Sequence, residues 1–95
     1  MKLASRFDMT ITRADFSRLL PAAVNHVQFD EKDSAFSHGD GVRGWRIDLT
    51  PLPLLQIGLI RLERHHVEFN FSGYSPKEIE AFMARFEMYF RRGGG

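Results

Sequence analysis

His66 and Glu68 flank Val67, and Arg46 and Asp48 flank Ile47. On an extended chain, alternate side chains share a face, so each pair stands together with an apolar residue turned the other way. Acid–base or hydrolytic chemistry needs a base beside a nucleophile or a second carboxylate, which makes His66, Glu68, Asp48 and Arg46 the first candidates for catalytic work. Ser37-His38 adds a hydroxyl next to an imidazole, but in a turn. None of these residues has a diagnostic surround such as G-x-S-x-G or H-E-x-x-H, so a small enzyme or ligand-binding domain ranks below a module that works by association.

Four histidines raise the question of a metal. His65 and His66 are neighbours and point to opposite faces of a strand, so they cannot grip one ion together. His26, His66 and Glu68 would form a better set if their strands lay close. Nothing in the spacing brings them together, and neither a metal nor a cofactor is expected. Gly39-Asp40-Gly41-Val42-Arg43-Gly44 has the form G-x-G-x-x-G, which cradles phosphates where it opens a helix. Here it opens onto Trp45-Arg46-Ile47-Asp48-Leu49, a strand pattern, so it reads as a hairpin turn.

Ten Arg and three Lys face twelve acidic residues, a net charge of +1. That balance does not announce a polyanion partner. Arg over Lys is also what a GC-rich genome imposes by codon usage. Aromatics on an open sheet face would stack RNA bases, but the alternation sends Phe7, Phe29, Trp45, Phe69 and Phe71 inward. Nucleic acid is therefore disfavoured; if it were bound, Arg61, Arg64, Arg85, Arg91 and Arg92 would hold its phosphates regardless of sequence.

The most informative stretch is apolar. Leu54, Leu55, Ile57, Leu59 and Ile60, with Leu52 and Leu62 beside them, carry more apolar surface than one sheet face and two helices obviously cover. Either this is a central strand covered on both sides, or it is an exposed patch that pairs with another copy or another protein. The second alternative makes Leu54, Leu55, Ile57, Leu59, Ile60, Arg61 and Arg64 the candidate binding residues, with the arginines as a rim.

The positioning elements follow from periodicity. Phe7, Met9 and Ile11 alternate as a strand, and Thr12 with Asp15 caps a short helix that Pro21 should break or kink. Val27 and Phe29 alternate, the hairpin turn at Asp40-Gly41 calls for a strand before it and one after it with Trp45, Ile47 and Leu49 alternating, and Val67, Phe69 and Phe71 alternate in turn. Leu54 to Leu62 reads as a further strand, with Glu63-Arg64-His65 as the turn after it. Ser75-Pro76-Lys77-Glu78 is a strong helix start, and Ile79, Phe82, Met83, Phe86, Tyr89 and Phe90 form one apolar stripe behind it.

The expected order is β-α-β-β-β-β-β-α, a two-layer α+β sandwich of a mostly antiparallel sheet with both helices on one face. At 95 residues the chain is expected to be one domain over 1–92 with a flexible glycine tail over 93–95. No apolar run reaches the roughly 18 residues of a membrane span, so a cytoplasmic protein is expected, with itself or another protein as partner and no membrane.

Overall fold

The computed structural model describes residues 2–93, with side chains through Arg91. It contains β1 (Lys2–Met9), α1 (Arg13–Ala23), β2 (Asp30–Lys32), β3 (Ala35–Gly39), β4 (Gly44–Ile57), β5 (Ile60–Ser72) and α2 (Pro76–Gly93). The strands form one antiparallel sheet in the order β1-β5-β4-β3-β2. Both helices cover one face of it, the expected α+β architecture. No helix among the described residues is long and apolar enough to cross a membrane.

The sheet has one strand fewer than the sequence pattern suggests. Leu54 to Leu62 is not a separate strand. It is a hairpin tip, with Ile57 paired to Ile60 across Gly58-Leu59. Gly58 has φ 60° and Leu59 is not left-handed, the requirement of a two-residue turn with glycine first. Glu63-Arg64-His65, expected as a turn, lies inside β5. The strand expected from His26 to Asp30 also moves: Asn25 and His26 take left-handed φ values and end α1, and β2 begins only at Asp30. Pro21 lies so close to that end that α1 runs two residues past it.

The core forms where the inward faces of the strands meet the helices. Phe36, Trp45, Ile47, Leu49, Val67, Phe69 and Phe71 pack against Phe16 and Leu20 of α1 and Phe86 and Phe90 of α2. Phe16 touches Phe36, Phe86 and Phe90 with ring centroids 5.3, 5.9 and 4.8 Å apart, and Phe69 meets Phe86 edge-on at 4.8 Å. Ser75 and Glu78 close a reciprocal capping box at the start of α2, Glu78 N–H to Ser75 Oγ at 3.2 Å and Ser75 N–H to Glu78 Oε1 at 2.9 Å. α2 runs through Gly93, one residue past the expected boundary. Gly94 and Gly95, the rest of the expected tail, lie outside the described residues, as does the side chain of Arg92.

Candidate functional site

The outer face of the sheet gathers the polar candidates. Register sets Asp48 across from Glu68, Glu68 across from Arg6, and His66 across from Asp8 on one side and Thr50 on the other. His66 Nδ1–H donates to Asp8 Oδ1 at 2.7 Å, and Nε2 lies 3.4 Å from Glu68 Oε2. Asp8, then Glu68, favour the charged imidazole and hold His66 above its ordinary value. Arg46 Nε lies 3.1 Å from both oxygens of Asp48. The structure thus brings His66, Glu68, Asp48 and Arg46 onto one face, already engaged with each other or with Asp8. Charges paired in this way fasten neighbouring strands.

His26 does not join that face, because it sits in the turn after α1 and not on a strand. No group of three or more His, Asp or Glu side chains among the described residues could hold a metal. His65, the neighbour of His66, is buried on the opposite side and donates from Nδ1 to the Ile11 carbonyl at 2.9 Å. The glycine motif is a loop between β3 and β4. Its Val42 and Arg43 N–H groups both donate to Asp40 Oδ1 at 2.9 Å, so the donors that would face a phosphate are taken. Arg43 stacks on Tyr74 at 3.9 Å and reaches Glu78 at 2.6 Å, tying the loop to α2. Arg61 and Arg64 stand on β5, whereas Arg85 and Arg91 stand on α2. The Arg85 guanidinium donates to the Ala22 carbonyl at 2.9 Å and so caps α1.

The apolar candidates lie at the opposite extreme of exposure. β1 leaves β5 at the pair Met9–His65, and β3 leaves β4 at Ala35–Asp48. Beyond Leu52–Arg64, β4 and β5 continue alone as a two-stranded arm, from Leu52 to Ile57 roughly 16 Å at 3.3 Å per residue. The molecule is correspondingly elongated, 47 × 24 × 21 Å.

The ladder skips between Leu52–Arg64 and Leu55–Leu62, so Pro53 and Leu54 together face Glu63. This bulge absorbs one residue, and Leu55 and Ile57 regain the face that Leu52 occupies. With Ile60 and Leu62 across from them they make one continuous apolar face, an extension of the outer sheet face. Gln56, Arg61 and Glu63 take the other side. Ile57 is 60% exposed, Ile60 59%, and Leu59 at the turn 102%.

The expected binding residues therefore divide. Leu55, Ile57 and Ile60 share the apolar face, Leu54 lies in the bulge, Leu59 makes the tip, Arg61 lies opposite, and Arg64 borders the face 3.8 Å from Asp8. Leu52 and Leu62, which the sequence sets beside the candidate residues in the same apolar run, complete the face. Gly58 was the available signal: Leu55 and Ile57 before it and Ile60 and Leu62 after it each keep period two.

The two edges of the arm differ. Leu49 N–H donates to Ser34 across the β3 side at 2.8 Å, so by alternation the nitrogens of Pro51 and Pro53 point to the edge that β3 has left. The two prolines remove two donors from that edge. The β5 edge retains the N–H and C=O groups of Arg61 and Glu63. Comparison of this chain with family models, with curated proteins and with solved structures finds no match, so the functional reading rests on this geometry.

Proposed function

We propose that this chain is a small protein-interaction module that acts by association through the β4–β5 arm, in its simplest form as a homodimer. One observation carries the reading: Leu55, Ile57 and Ile60 are exposed, beside half-buried Leu52 and Leu62, on the apolar face of a ribbon that neither neighbouring strand supports. Apolar surface removed from water is worth about 25 cal/mol per Å², so whatever part of this face a partner takes from water favours association. A lone two-stranded ribbon is marginally stable, so strands added by a partner order it. Arg64, across from Leu52, sets a positive charge at the border of this face.

Sedimentation equilibrium from micromolar to millimolar protein tests this. Reversible self-association of the wild-type chain, lost in an Ile57→Ser, Ile60→Ser variant with unchanged circular dichroism, is the expected result. A chain that stays monomeric over that range, or a variant that associates as well as wild type, would refute the reading.

A second reading, a small ligand or substrate held on the outer sheet face, draws on the adjacency of His66, Glu68, Asp48 and Arg46. It requires a compound that shifts the His66 ring resonances and loses affinity when His66 becomes Gln.

A further inference from the structure

The arm does more than expose apolar surface: it offers one strand edge and closes the other. On the β4 side, Pro51 and Pro53 remove two donors and leave only the N–H nearest the tip, at Gln56, on that edge. On the β5 side, the vacated edge begins where β1 stops, at Met9–His65, and runs to the turn at Gly58-Leu59. Along it, the outward-pointing backbone belongs to Glu63 and Arg61. Neither of these side chains enters an ion pair among the described residues, and both are exposed.

From this edge we propose that the partner is a second copy of the chain, joined through antiparallel pairing of the two β5 edges about a twofold axis at Leu62. The inference rests on the association reading above and specifies its occupant and register. Two strands related by a twofold axis pair so that their residue numbers add to a constant. With the axis at Leu62, Arg61 faces Glu63 of the second copy and Glu63 faces its Arg61, so both charges meet opposites directly across the ladder.

The same register is the longest that fits. Ile60 lies across from Arg64 of the second copy, and the turn at Gly58-Leu59 then meets the end of that copy's β1. A shift by two residues in one direction would drive the turn into β1. A shift in the other direction would break both charge pairs. The joined arms form a four-stranded ribbon in which Leu62 meets its own copy at the axis and the two apolar faces become one surface. The prolines on both outer edges stop the ribbon there, so pairing ends at two copies.

The chain contains no cysteine, which makes the register directly readable. Leu62→Cys places two thiols across a non-hydrogen-bonded antiparallel pair, with Cα atoms about 4.5 Å apart and within disulfide reach. Mild oxidation is expected to give a covalent dimer from Leu62→Cys far faster than from Gln56→Cys, which sits on the closed β4 side. Charge exchange supplies the second arm of the test. Arg61→Glu alone and Glu63→Arg alone are each expected to weaken dimerisation about tenfold, and the double variant to restore it, since the swapped charges again face opposites.

Fast cross-linking together with rescue by the double variant supports the register. A chain that dimerises through the arm but shows neither preferential cross-linking at Leu62 nor rescue overturns the β5-edge dimer and leaves the association reading standing. A strictly monomeric chain overturns both.

Discussion

The body and the arm of this molecule are built from the same kinds of residue and reach opposite ends. In the body, β4 and β5 place Ile47, Leu49, Val67 and Phe69 under α1 and α2, where they are essentially inaccessible to water. Ten residues further along the same hairpin, Ile57 and Ile60 are more than half exposed. Both regions have the alternation of a half-buried sheet. The difference is in what lies over the apolar face: two helices in the body, no other element among the described residues in the arm. An apolar face is therefore a statement about a required partner, and only topology says whether that partner is in the same chain.

The comparison can be broken most forcefully in the core. Phe86→Ala removes a ring packed among Phe16, Phe69 and Phe90 and is expected to cost about 3–5 kcal/mol in urea unfolding of dilute protein. Ile60→Ala in the arm should cost far less, under about 1 kcal/mol in the same conditions, because Ile60 is more than half exposed and loses little packing. Equal losses at the two sites would show the arm to be part of the core.

A smaller effect concerns the loop end of the body. Arg43 holds the Glu78 carboxyl down, from an ordinary 4.5 to about 2, with help from the Ser75 N–H. A lowered folded-state value gives stability that is fully present above the ordinary value and lost as pH falls from about 4.5 toward 2. Glu78→Gln should flatten that part of an acid thermal-melting profile; an unchanged profile would remove the Arg43–Glu78 link from the account.

The smallest effect is at His66, near the root of the arm. Its raised value means that its contribution is complete below the ordinary 6.5 and lost as pH rises through the folded-state value. Asp8→Asn should bring the His66 titration, followed by ring-proton NMR, back toward the ordinary range. No downward shift in that variant would mean that Asp8 does not hold the imidazole.

How much was legible depends on how local the cause is. The α2 capping box and its apolar stripe, and the inward aromatics of β4 and β5, follow from neighbouring residues and could be read directly. The adjacency of His66 and Glu68 and of Arg46 and Asp48 was equally plain, since it needs only period two. The Asp8–His66 pair was not, because it depends on β1 lying beside β5.

The arm reads in sequence as one further strand because a bulge and a tight turn disguise one-sided alternation as apolarity on both faces. Pro51 and Pro53 lack ladder donors by their type alone, but that this blunts an edge follows only from β3 ending before them. His26 was lost to the outer face through two left-handed residues that no periodicity announces.

Amide hydrogen exchange, read residue by residue at low and at high protein concentration, tests most directly that the arm is the face this chain presents to a partner. At low concentration the amides of Leu55 to Leu62 should exchange far faster than those of Val67 to Phe71. At high concentration the arm should gain protection, Arg61 and Glu63 most of all, while the body stays unchanged. An arm as protected as the body when dilute, or one whose exchange ignores concentration, would contradict that claim.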